Sequence, residues 1–168
     1  LKVRLKALPT IKNKEAALRV EVKRAKEEVK RLERLLEQNI LRYENMVALW
    51  TEFDASLVRV DDVRMLVKKI AGVKTPILEG VDFTIKQFSL FNQPAWFAEG
   101  IELVKQLAQV GIEREFFSQK MYLLEHARKK TTQKVNLFEK VQIPGYEDAI
   151  RKVKRFMEDE ENLTKSAQ

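Results

Sequence analysis

Residues Leu18–Leu36, "LRVEVKRAKEEVKRLERLL", decide the fold. Apolar side chains recur at Leu18, Val22, Ala25, Val29, Leu32 and Leu36, in alternating steps of four and three. On a helix that spacing draws them into one narrow seam, which leaves water only when a second helix lies against it. The residues between them are mostly Lys, Arg and Glu, a solvated face. The stretch therefore predicts a coiled coil whose second helix must be found elsewhere.

The seam reaches back to Ile11 and on through Ile40, Tyr43, Val47 and Trp50. Its two successive steps of four after Leu36 predict a stutter, a place where the supercoil locally unwinds. At ~1.5 Å per residue, these roughly 40 positions would span about 60 Å, more than the width of a small globule. Pro9 either opens this helix in its first turn or interrupts a helix begun upstream.

Composition agrees with an elongated helical chain. The 168 residues are 45% hydrophobic and 34% charged, a surplus of charge over core. With 5 Gly and 4 Pro there is little turn material. The absence of cysteine excludes disulfides and thiolate metal sites. No apolar run reaches the roughly 18 residues of a membrane span. The net charge of +7 arises before residue 35, where 12 Lys/Arg outnumber 5 Asp/Glu; the remainder balances. Interleaved acids make that segment read as a solvated helix face, although a basic coiled-coil nucleic-acid binder or adaptor is the alternative function.

Residues 1–53, 54–100 and 101–168 differ in character: an N-terminal helix, a middle region, and a C-terminal helix, together one domain. In the middle, β-branched residues around Gly72, Pro76 and Gly80 predict a β-hairpin with strands near Val63–Lys74 and Val81–Phe88. "NQPAWFAEG" then gives a short helical start, with Asn92 as cap and Pro94 in the first turn. In the last third, Ile101, Val104, Ala108, Phe117, Met121, Leu124, Val135, Phe138, Ala149, Val153 and Phe156 follow three-four spacing in stretches, interrupted at Thr131 and Thr132. The fold class is thus mainly α, a long antiparallel two-helix coiled coil with a small hairpin and short helix in the middle. If Trp50 lies opposite about Ile101, paired positions sum to about 151 and Leu1 faces Ile150. Val153, Phe156 and Met157 would then lack a mate, which leads us to expect upstream residues completing the coil. Seam residues are expected at Leu18, Val22, Ala25, Val29, Leu32, Leu36, Met121, Leu124, Val135 and Phe138.

Catalytic constellations are missing from the pattern. There is no glycine-rich phosphate loop, and His126 is the only histidine, so neither a histidine metal cluster nor a serine-hydrolase triad has its parts. Glu27, Glu28 and the run Glu158–Glu161 read as exposed helix carboxylates, unsuited to acid–base work. We expect no catalytic, cofactor or metal site. Trp50, Phe53, Phe88, Phe91, Trp96 and Phe97 gather around the middle region and read as local core with a share available for docking a partner.

"KTTQKVNLFEKVQIP", Lys130–Pro144, followed by "YEDAIRKVKRFMEDEE", resembles the C-terminal helix of the D subunit of V/A-type rotary ATPases; "LKALPTIKNKEAALRVEV" resembles that family's N-terminal helix, with Lys12 and Lys14 in its lysine-rich segment. Pro9 departs from the pattern. The resemblance implies a non-catalytic central-stalk rotor that couples ion translocation through a membrane ring to ATP hydrolysis or synthesis in a catalytic A/B hexamer. It implies partners: that hexamer, a small F subunit of the stalk, and a funnel-shaped subunit above the ring. It implies a cytoplasmic location peripheral to the membrane. Lys134, Val135, Asn136, Ile143, Pro144, Arg151, Lys154 and Arg155 fall on the family motif and, by the resemblance, face the hexamer. No nucleotide, nucleic acid or membrane insertion is implied for this chain.

Overall fold

The structure, a computed structural model, describes residues 2–49, 55–86 and 96–166, with side chains described over 7–46, 56–86, 98–141 and 144–166. In chain order it has helix α1 (Lys2–Leu49), a 3₁₀ turn (Ala55–Leu57), strands β1 (Val58–Ile70) and β2 (Val73–Ile85), helix α2 (Trp96–Leu137), a π-helical segment (Phe138–Gln142) and helix α3 (Ile143–Ser166). The fold is mainly α, with two long helices and one antiparallel hairpin. No separate short helix follows the hairpin among the described residues: the helix at Trp96 runs straight on as α2, and the predicted Asn92 cap and Pro94 lie outside the described residues. Pro9 lies inside α1, so it interrupts a helix already begun.

Two compact units make up the chain: one holds residues 1–19 and 126–168, the other residues 20–125. In the second, Val22, Ala25, Val29, Leu32, Asn39 and Met46 of α1 are buried, and Leu36 and Tyr43 half-buried. Their spacing is an unbroken alternation of three and four. The expected stutter is therefore absent: Asn39 and Met46 take the seam, and Ile40 is 40% exposed. A polar residue in a heptad position hides the true phase from a count of apolar residues, which jumps to the neighbour. On α2, Leu103, Val110 and Leu124 are buried and Leu107, Arg114, Phe117 and Met121 half-buried, again at three-four spacing.

The two helices of this unit run antiparallel. Arg114 Nε and Nη2 donate to Glu33 Oε1 at 3.2 and 3.0 Å. Further along α1, Asn39 and Arg42 line a cleft of about 480 Å³ with Lys105 and Gln106, so later residues of α1 meet earlier ones of α2. In the first unit, Leu18 is fully buried, Ile11 and Glu15 are half-buried, and Thr131 and Val135 are buried with Phe138 half-buried. Lys12 ion-pairs with Glu139, the register expected from the sequence. Thr131 does not interrupt this seam. Its Oγ1 donates to the Ala127 carbonyl at 2.8 Å, so the hydroxyl is satisfied within its own helix and the methyl is left to pack.

The hairpin corrects the predicted strand limits. The turn is two residues, Ala71 (φ 50°) and Gly72 (φ 80°), the positive-φ pair that matches the twist of adjoining strands. Pro76 and Gly80, expected as loop markers, lie within β2. Pro76 faces Val67 at a position whose N–H points away from β1, so no ladder bond is lost. Register shifts at Val60/Asp62 and Arg64/Met65 leave one extra residue on each strand, and they cancel. Beside the second, the Arg64 guanidinium crosses Gly80 and pairs with Asp82 at 3.3 Å; a Cβ on Gly80 would run into Arg64 Nη2.

Two substitutions follow from these backbones. Ala71→Asn places a residue tolerant of the left-handed conformation beside Gly72 and should stabilise the hairpin by about 0.5–1 kcal/mol, read from denaturant midpoints. Gly111→Ala, in the interior of α2 where an added Cβ meets nothing within 4 Å, should raise stability by about 1 kcal/mol in the same assay.

Candidate functional site

The residues singled out by sequence fall in three places. Leu18, Val22, Ala25, Val29, Leu32, Leu124 and Val135 are buried, and Leu36, Met121 and Phe138 half-buried. Of the family-motif residues, Val135 is buried, while Lys134, Asn136, Pro144, Arg151, Lys154 and Arg155 are exposed; Ile143 begins α3, but its side chain lies outside the described residues. Trp50, Phe53, Phe88 and Phe91 lie outside the described residues, and Trp96 and Phe97 open α2 with side chains outside them.

The first unit concentrates exposed surface at its α3 end. Tyr146, Ile150, Val153, Phe156, Met157 and Leu163 are all exposed, at helical spacing. That is the mateless stripe expected for Val153, Phe156 and Met157, and it is longer than expected. Basic residues Arg151–Arg155 precede the acidic run Glu158–Glu161 on the same helix, and Lys152 pairs with Asp148 at 3.3 Å. The helix enters this stretch through a π-helical turn. Pro144 cannot donate to the carbonyl four residues earlier, and the wider Phe138–Gln142 turn directly before it takes up the mismatch. The sequence signal for the wider turn is Pro144 itself.

The second unit presents an open cleft of about 260 Å³ between β2 and α2, lined by Pro76, Ile77, Leu78, Phe116, Phe117 and Lys120 among others. The ammonium groups of Lys120 and Lys105 stand over the rings of Phe117 and Phe83, at 5.5 and 6.0 Å, so the second contact ties β2 to α2. On the outer side of α1, Arg31 donates to Glu28 from Nε and Nη2, and that hydrogen bond and the carboxylate charge raise its pKa above the ordinary arginine value. Among the described residues no group of three His, Asp or Glu could hold a metal, and no helix is long and apolar enough to cross a membrane.

Sequence reasoning misses the polar members of the seam. Asn39 is 5% exposed, Thr131 6%, and Arg114 and Glu15 are half-buried, each at a heptad position. No buried side-chain nitrogen or oxygen among the described residues lacks a partner. Counting sevens through polar residues finds them: Asn39 stands seven after Leu32, and Thr131 seven after Leu124.

Two long helices with buried faces at three-four spacing, and a bulged antiparallel β-hairpin between them in the chain, define a mainly α protein with several polar residues among its buried positions. The chain belongs to the D-subunit family of ATP synthases, whose model matches residues 1–166. It is 31% identical over 170 residues to the V-type ATP synthase D subunit of Borreliella burgdorferi, covering 96% of this chain and 81% of that protein. It is 30% identical over 160 residues to that of Chlamydia trachomatis serovar L2, covering 90% and 77%. Members of this family are non-catalytic central-stalk subunits of V-type ATPases.

The polar seam gives a test. Asn39→Leu should raise stability by about 1 kcal/mol or more, because an amide leaves a buried heptad layer, and should relax the single register. Cysteines at Glu33 and Arg114 read the register: crosslinking should be efficient with Asn39 in place and diluted into alternative pairings in the leucine variant.

Proposed function

We propose that this chain is the turning shaft of a V/A-type ATP synthase, coupling ion translocation through a membrane ring to ATP hydrolysis or synthesis in a catalytic hexamer. The single observation that carries the reading is the pairing of α1 with α2 through an unbroken three-four seam in a chain of the D-subunit family. In this reading the seam is an antiparallel coiled coil, and residues 1–53 and 101–168 are its two arms around a middle region, 54–100. Two helices locked side by side resist bending and twisting better than one, which is what transmitting torque demands. The Arg114–Glu33 and Lys12–Glu139 pairs would hold the arms in one register while they carry load.

The partners in this reading are the A/B hexamer, around the ends of the chain, and a small F subunit and a funnel-shaped subunit nearer the membrane. The exposed motif residues Lys134, Asn136, Pro144, Arg151, Lys154 and Arg155 would face the hexamer. Trp50, Phe53, Phe88, Phe91, Trp96 and Phe97 would supply the stalk contacts. Such a chain works at the membrane as a peripheral part of the complex.

Pro144 and the π-helical turn before it give the upper helix an irregular path, and we assign that irregularity to telling otherwise equivalent catalytic sites apart. Pro144→Ala restores a backbone donor. It should leave thermal stability equal or slightly higher while lowering the rotation-coupled hydrolysis of a complex rebuilt with the variant. Wild-type coupling in that complex would count against the assignment, and failure of the wild-type chain to assemble with a hexamer would count against the function itself.

A further inference from the structure

Counted as one unbroken α-helix, the chain puts the apolar stripe of α3 one residue out of phase with the buried line that ends α2. We propose that the π-helical turn Phe138–Gln142 is a phase-setting device: its extra residue brings the stripe back into line with the seam, on the side where α1 lies, and Pro144 holds the turn in that state. The proposal stands independently of the rotor reading.

The buried line at the end of α2 runs through Thr131, Val135 and Phe138. Continued in steps of four and three, it passes through Gln142, Gly145, Ala149, Lys152 and Phe156. An amide, a glycine and an ammonium among five positions make a poor seam. The large apolar residues stand instead at Tyr146, Ile150, Val153 and Met157, each one residue later. One residue is about 100° of rotation on an α-helix, so an unbroken helix would carry the stripe roughly a quarter of a circle away from the seam. A π-helical turn closes i→i+5 bonds where an α-helix closes i→i+4, and so takes in one residue more. The offset in sequence and the residue absorbed by the turn are equal, and they cancel.

Two observations tie the turn and the stripe to α1. Lys12 of α1 pairs with Glu139 inside the turn, which fixes the side on which α1 lies. Exposure along the stripe is lowest next to the turn, 42% at Tyr146 and 39% at Ile150, and climbs to 71% at Leu163, as expected of a stripe that begins on that side. Lys152 and Arg155 then fall on the opposite side of α3. Pro144 explains why the turn persists. In an α-helix the Lys140 carbonyl would look to the nitrogen of residue 144, which as proline has no proton, and the ring would press on that carbonyl.

The chain has no cysteine, so pairs of introduced cysteines can be spin-labelled selectively and their separation measured by pulsed electron paramagnetic resonance. Labels go on Thr10 with Ile150, and on Thr10 with Lys152, all exposed positions. The Thr10–Ile150 distance should be the shorter, by up to about 10 Å, the width of a helix with its side chains. Pro144→Ala should let the α-helix return and turn α3 by about 100°, lengthening the first distance and shortening the second. Deleting Val141 in the Pro144→Ala background removes the extra residue, and should restore the wild-type order of distances in a continuous α-helix. A wild-type chain in which the Lys152 label is as near as the Ile150 label overturns the proposal. So do distances unchanged by Pro144→Ala, and a Val141 deletion that fails to restore the order.

Discussion

A narrow apolar seam on a long charged helix has one physical remedy, a second helix of matching phase. Each fully buried Leu in that seam gains about 1.5–3 kcal/mol relative to exposure, and Leu18, Leu32 and Leu124 all reach complete burial. Apolar layers alone do not choose a register, because sliding one helix by a heptad replaces leucine with leucine. The polar members do choose. Arg114 reaches Glu33 in one register, and Lys12 reaches Glu139. The seam thus combines attraction that is nearly uniform along its length with a few contacts that are not, and the second kind makes a specified pair out of a sticky one.

The hairpin depends on that pair. Two strands alone are marginal in water, and here β2 meets α2 through Phe83 beneath Lys105 and across the cleft that Pro76, Ile77 and Leu78 share with Phe116, Phe117 and Lys120. Among the described residues β1 finds no such contact on its outer side. The hairpin is therefore asymmetric by construction, one strand anchored and the other presented. Lys68 and Lys69 on the presented strand keep it from accepting strands indiscriminately, since charge on an edge penalises any partner that does not answer it.

How much of this is legible in the sequence depends on whether the signal is carried by apolar residues. The helices and the antiparallel register from Lys12 to Glu139 follow from counting hydrophobic positions. The stutter is a false reading because Asn39 is polar and Ile40 is not; hydrophobicity locates the nearest apolar atom while geometry keeps the heptad. Thr131 misleads for the same reason, its hydroxyl being hidden by a bond to Ala127. The hairpin limits are misplaced because Pro76 and Gly80 are stronger turn formers in isolation than Ala71–Gly72. Neither can override a register that sets Val63–Val67 against Pro76–Val81 and gives Pro76 an outward position. The aromatic cluster falls outside the described residues, so its expected role rests on sequence alone.

α3 differs from the other helices in having nothing described against it. Every described side chain from Pro144 to Ser166 is exposed, including six large apolar ones. Packing usually holds a helix of this length, since propensity alone makes isolated helices marginal. What remains within α3 is local: the i,i+4 pair of Lys152 with Asp148, and hydroxyls of Thr164 and Ser166 bonded back to the carbonyls of Glu160 and Asn162. Such contacts are worth only tenths of a kcal/mol each. A helix with this much exposed apolar surface and so little holding it locally needs contacts beyond its own residues to be stable.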